Sequence, residues 1–195
     1  FSGLIGLLGY DFSYPSINFE FVKGIERQIR NRSYHLVLAT NERRLAPTLR
    51  LINELQEKNV LGILMPLLPG PADGKQNAAL KQSLSEHNTP VVFIDSHPAE
   101  KDADYVCCDD EFGGCEAARH LIGAGHRKIA VLAGPSSSSV EFRIAGYREA
   151  LARNGIDVDE TLIRRSATDD GRDAGLELTA ALLRDCPDVT AIFAI

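Results

Sequence analysis

No lysine- or arginine-rich run occurs in the 195 residues, whose net charge is -6 with acidic and basic side chains mixed along the chain. Nucleic-acid contact through a basic face is therefore not expected of these residues. No apolar run approaches the roughly 20 residues of a membrane span, and no basic-then-apolar leader precedes Gly3. Cys107, Cys108, Cys115 and Cys186 form no Cys-x-x-Cys pair and have no histidines at zinc spacing. Neither a disulfide framework nor a metal site is expected of them, and a reducing cytosol suits them. Also missing are the Gly-x-x-x-x-Gly-Lys-Ser/Thr loop, the Gly-x-Ser-x-Gly elbow and a Gly-x-Gly-x-x-Gly turn after the first strand, the usual equipment of phosphate, acyl and dinucleotide chemistry. His35, His87, His97, His120 and His126 are scattered and read as structural. Asp169-Asp170 and Asp109-Asp110-Glu111 read as helix starts, where carboxylates meet the helix dipole, rather than as cation sites. No catalytic residue, metal ligand or cofactor is assigned, and the chain does not read as an enzyme.

What is present is alternation. Residues 4–8 form an apolar run closed by Gly9, and Phe19, Val22, Ile25 and Ile29 then repeat at helical spacing. A strand over 34–39 follows, then a helix that Pro47 suits in its first turn and that buries Leu49, Ile52 and Leu55. Strands are expected over 60–65, 91–94 and 105–107, with a proline-rich loop over 66–74 and a helix over 78–84. After Gly125 the order repeats, with strands at 128–133, near 162–163 and at 190–194, and helices over 140–153 and 172–184. Such alternation predicts parallel sheets with right-handed crossovers and helices on both faces. The expected division is an N-terminal lobe, residues 1–124, and a partial C-terminal lobe, residues 125–195.

The stretch 109–151 joins these lobes. Ala117, Ala118, Leu121 and Ile122 fall at helical spacing after Gly113-Gly114, and Gly123 to His126 stops the pattern. Residues 129–133 read as a strand buried on both faces. Four serines, Ser136 to Ser139, then form a polar entry loop to a helix that carries Arg143 in its first turn, off the apolar stripe, and ends at Asn154-Gly155. In open parallel sheets, ligands sit beyond the carboxyl ends of the strands. A guanidinium fork and serine hydroxyls at that place can hold neighbouring ligand oxygens, or they can be a solvated helix residue and a flexible loop. The loop of residues 9–15 follows the first strand and offers the same choice. Tyr10, Phe12 and Tyr14 can stack on a ligand, with Asp11 and Ser13 hydrogen-bonding to it, or the aromatics can pack the loop.

These pieces resemble the effector-binding core of the LacI/GalR transcriptional regulators. The resemblance is carried by Asp109, Gly113-Gly114, His120-Leu121, Gly125-His126-Arg127-Lys128-Ile129, Ala133-Gly134-Pro135 and Arg143-Ile144-Ala145-Gly146-Tyr147, in the family's order and spacing. It implies an α/β fold of two doubly wound parallel-sheet lobes of the periplasmic-binding-protein-like type I, with the second lobe incomplete and both ends cut. It also implies a small-molecule effector, a sugar or other metabolite, bound between the lobes by Tyr10, Asp11, Ser13, Tyr14, Asp95, Phe112, Ser137, Ser139, Arg143 and Phe193. Ligand binding would be passed to operator DNA through an amino-terminal module outside this chain. A cytoplasmic homodimer follows from the same resemblance, with Leu45, Leu49 and Leu61 available either to the dimer or to the core.

The sequence departs from the family pattern in three places. Tyr14-Pro15-Ser16-Ile17 replaces Asn-Pro-Phe-Phe, Asp95-Ser96-His97 stands where relatives have Asp-Arg, and Asp110 stands where asparagine is favoured. A periplasmic sugar-binding protein serving a transporter is the competing expectation, against which the four cysteines and the Gly-His-Arg-Lys-Ile segment argue. Arg143→Ala is expected to weaken ligand binding and leave folding nearly unchanged.

Overall fold

The computed structural model describes residues 3–9, 12, 17–40, 43–71, 73–86, 89–167 and 171–195. The chain divides into two compact units, Phe1–Val106 and Cys107–Ile195. Unit 1 contains strands β1 (Gly3–Gly9), β2 (Tyr34–Thr40), β3 (Gly62–Met65), β4 (Val91–Ile94) and β5 (Tyr105–Val106). Its helices are α1 (Ile17–Ile29), α2 (Leu45–Glu57) and α3 (Lys75–Glu86). The strands lie in the order β2-β1-β3-β4-β5, all parallel, with β1 paired to β2 on one side and to β3 on the other. The chain thus winds outward from β1 and then crosses back, the doubly wound plan that alternating apolar runs predict. Ile52 and Leu55 of α2 and Leu80 of α3 meet Leu8, Ile63 and Met65 in one core. Leu45 and Leu49 pack against that core, whereas Leu61 is 55% exposed. Of the three leucines offered to a dimer, Leu61 alone is exposed.

The loop after β3 is pinned by polar groups. Buried Asn77 accepts from the Leu68 N–H at 2.8 Å and donates to the Leu68 and Pro71 carbonyls, while Ser96 Oγ accepts from the Leu67 N–H at 2.9 Å. Backbone groups that no helix or strand could satisfy therefore find side-chain partners.

Unit 2 is built from α4 (Asp110–Gly123), β6 (Ile129–Ala133), α5 (Ser138–Arg153), β7 (Ile163–Arg165), α6 (Gly171–Asp185) and β8 (Ala191–Ala194), with the parallel order β7-β6-β8. All five residues of β6 are buried. Ile129, Val131 and Ala133 face the cluster formed with α4 and α5, and Ala130 and Leu132 face the one formed with α6. This is the two-sided burial that an uninterrupted apolar run requires of a central parallel strand. Gly125, at φ +95°, and Gly155, at φ +64°, take the left-handed conformations that follow α4 and α5.

One expected helix start is borne out and one is corrected. The helix start at Asp109-Asp110-Glu111 is borne out: the Asp109 side chain accepts from the Phe112 N–H at 3.0 Å and starts α4 at Asp110, so Gly113 and Gly114 lie inside the helix. The serine segment is also shorter as a loop than expected. Ser137 caps α5 by accepting from the Val140 N–H at 3.3 Å, so Ser138 and Ser139 are already helical and Arg143 falls one turn deeper. Within the compact unit Cys107–Ile195, α4 packs against α5. A Cβ on Gly114 would stand 2.1 Å from the Arg143 carbonyl oxygen, and one on Gly146 would stand 1.9 Å from that of Glu111, so the two backbones touch.

Tyr147 anchors α5 to the sheet. It is 1% exposed, and its Oη donates to the Ile129 carbonyl at 2.8 Å. Burial, and then the Asp159 and Glu160 charges, push its phenol from the ordinary 10.0 up to about 12. In the unfolded chain the group ionises first, so its contribution to stability is complete below pH 10.0 and is lost as pH rises toward about 12. Denaturation midpoints across that window should therefore fall more steeply for wild type than for Tyr147→Phe. Parallel curves would remove Tyr147 as the cause.

Candidate functional site

The carboxyl ends of β6 and β7 bring together the polar groups that the sequence singled out in unit 2. Arg143, on α5, donates from Nε to Asp110 Oδ1 at 2.8 Å; the Asp110 side chain is 2% exposed and that of Arg143 36%. Asp110 sits in the first turn of α4, directly after the capping Asp109. A buried carboxylate is tolerated only where it is paired, and this guanidinium is one of its partners. The pairing also orients the fork. Among the described residues, Nη1 and Nη2 of Arg143 take no partner, so two donors remain for a ligand.

A second ionic link lies at the same edge. Glu141, in the first turn of α5, accepts from Ser136 Oγ at 2.8 Å and from Arg165 Nη2 at 2.8 Å, joining the loop after β6 to the last residue of β7. Sequence reading missed both Arg165 and the Arg143–Asp110 pair. The only available signal for the latter was the unusual aspartate at position 110.

The remaining candidates are placed as follows. Phe112 projects from the first turn of α4 and is 62% exposed. Ser139 is nearly buried, and Ser137 spends its oxygen on the α5 cap. Phe193 lies opposite Val131 in β8 and packs, half-buried, against the cluster shared with α4 and α5, on the Arg143 face of the sheet. Asp95 belongs to unit 1. It is exposed, has φ +50° and donates its N–H to the Val106 carbonyl at 2.9 Å just beyond β4. Aspartate adopts this left-handed conformation at small cost, and the position presents a carboxylate at the carboxyl edge of the sheet. Tyr10, Asp11, Ser13 and Tyr14 lie outside the described residues.

A cavity of about 290 Å³ occupies the other face of the small sheet, lined by Leu132, Pro135, Ser166, Gly175 and Leu178 among others. It is largely apolar, and Arg143 does not reach it. The polar constellation and the cavity are thus separate features of unit 2.

Comparison with known proteins gives this geometry a context. The sequence is 36% identical over 178 residues to the HTH-type transcriptional regulator CelR of Thermobifida fusca, covering 89% of this chain and 49% of that protein. It is 31% identical over 195 residues to the HTH-type transcriptional regulator DegA of Bacillus subtilis (strain 168), covering 99% and 56%. The chain therefore spans about half the length of these curated relatives. The structure superposes on that of a transcriptional regulator CelR–cellobiose complex with a TM-score of 0.83 at 32% identity, covering 98% of this chain and 58% of that one. The family model of periplasmic binding proteins and the sugar-binding domain of the LacI family matches residues 10–195. With parallel doubly wound sheets, an arginine at a strand-to-helix edge and that match along nearly its whole length, the chain belongs to this family of periplasmic binding proteins and LacI-type sugar-binding domains.

Proposed function

We propose that this chain is the ligand-sensing part of a DNA-binding transcriptional regulator, taking a sugar or related small metabolite and passing the bound state to operator DNA through a separate module. The observation that carries the reading is Arg143, its Nε fixed by Asp110 and its two Nη donors open. In this role the chain performs no catalysis. A ligand favours whichever state of the regulator it binds more tightly, and that difference in affinity is the coupling energy available to the DNA-binding module. The named relatives are regulators rather than transport proteins, which supports this reading over a transporter component. A cytoplasmic homodimer completes the proposal, with exposed Leu61 at or beside its contact surface.

The test is a thermal-shift screen of the full-length protein against sugars and nucleobases, with cellobiose included because the structurally similar CelR forms a complex with it. A specific ligand raises the melting temperature in proportion to the logarithm of its concentration above Kd. A sugar is expected to do so and to change operator affinity. Shifts from nucleobases alone would replace sugar by purine or pyrimidine as the ligand class, and silence across the screen would remove the sensor reading.

A further inference from the structure

At the arginine-bearing edge of unit 2, Arg143, Arg165 and the amino ends of α4 and α5 all lie with protein carboxylates. The amino end of α4 is capped by Asp109, whose side chain accepts from the Phe112 N–H, and Asp110 and Glu111 occupy its first turn. The amino end of α5 is capped by Ser137 and carries Glu141 in its first turn. Arg143 is paired with Asp110, and Arg165 with Glu141, each at 2.8 Å. Helix amino ends and guanidiniums are the features that normally draw anions, and here both kinds are compensated from within the chain.

We infer that this edge is charge-balanced for a neutral, hydroxyl-rich ligand, and that Asp110 sets the selectivity by positioning Arg143 and cancelling its charge. The inference rests on the sensor reading above and narrows its ligand class. A hydroxyl can accept from an Nη donor of Arg143 and donate to a carboxylate in the same site, whereas a carboxylate or phosphate can only accept. An anion reaching those donors would also lie across one guanidinium from Asp110, close enough for repulsion to be felt in a partly buried site. Asp110 is a positioning residue in this account. Its negative charge, rather than its shape, excludes anionic analogues.

Matched pairs test the idea on the full-length protein by calorimetry, using cellobiose with cellobionate, glucose with glucuronate and glucose 6-phosphate, and ribose with ribose 5-phosphate. The neutral member of the responsive pair is expected to bind about tenfold or more tightly than its anionic partner. Asp110→Asn keeps an oxygen for Arg143 Nε but removes the charge. It should shift the ratio of the two affinities about tenfold toward the anionic member. A purely structural role would weaken both members alike. An anionic member binding as tightly as its neutral partner in the wild type, or an unchanged ratio in Asp110→Asn, overturns the inference while leaving a sugar sensor in place. No binding by either member of any pair is a different result, and it removes the sugar reading together with this one.

Discussion

Gly146→Ala is expected to cost unit 2 about 3 kcal/mol of stability, although alanine is the better helix former by about 1 kcal/mol. The added methyl would stand 1.9 Å from the Glu111 carbonyl oxygen and 2.6 Å from the Cys115 backbone nitrogen. Both neighbours are main-chain atoms of α4, so no rotamer can relieve the clash and the helices must part. Parting them opens the cluster of Cys115, Ala118, Ile144 and Tyr147. Gly114→Ala should behave alike, since its Cβ would meet the Arg143 carbonyl oxygen at 2.1 Å. Gly113→Ala is the control, because nothing lies within 4 Å of the added carbon and only the propensity gain of about 1 kcal/mol remains. Denaturant unfolding of the three variants checks this directly. If Gly146→Ala and Gly113→Ala move the midpoint in the same direction, backbone contact does not hold α4 to α5.

Arg143→Ala should destabilise the fold by about 2–4 kcal/mol, contrary to what the sequence alone suggests, because it removes the guanidinium partner of a carboxylate only 2% exposed. The upper end is discounted because the Arg143 side chain is 36% exposed and solvent shares in screening the pair. Its loss of ligand affinity is therefore mixed with a loss of folded protein. Arg143→Lys separates the two effects. An ammonium can still neutralise Asp110, so stability should fall by no more than about 1 kcal/mol, whereas the paired Nη donors disappear and ligand affinity should drop about tenfold or more. Melting curves of both variants with and without Asp110→Asn form the check. An alanine variant as stable as wild type would show that the pair contributes nothing to folding.

The alternation of strands and helices was legible because each element carries its own period. Val131 needs no knowledge of its neighbours to read as buried, and the Ile52 and Leu55 face of α2 declares itself by spacing. The start of α4 was legible in Asp109-Asp110-Glu111, whose first member caps the helix, whereas the role of Gly113-Gly114 inside it was not. Nothing local tells a helical glycine that breaks a pattern from one that lets a second backbone approach. The Arg143–Asp110 pair was invisible for a related reason. Its members are 33 residues apart, on different helices, and no periodicity connects them. Arg143 itself was found, by its place after a strand and by resemblance, but its partner required coordinates. Ser137 illustrates the same limit, since a hydroxyl available to a ligand and one used for a helix cap are identical in sequence.

The contact between α4 and α5 also bears on the order of folding. The segment from α4 through β6 to α5 is continuous, residues 110–153, and its backbone contacts at Gly114 and Gly146 close only short loops. In unit 1 the pairing of β1 with β2 closes a circuit of similar length, whereas pairing Ile5 with Gly62 requires more of the chain to be gathered first. Loop-closure entropy makes the shorter circuit the faster one. The α4–β6–α5 segment is thus placed to form early and to serve as a template for β7 and β8. Gly146→Ala should accordingly slow refolding as well as speed unfolding, whereas a substitution confined to a late-forming edge strand would act mainly on the unfolding rate.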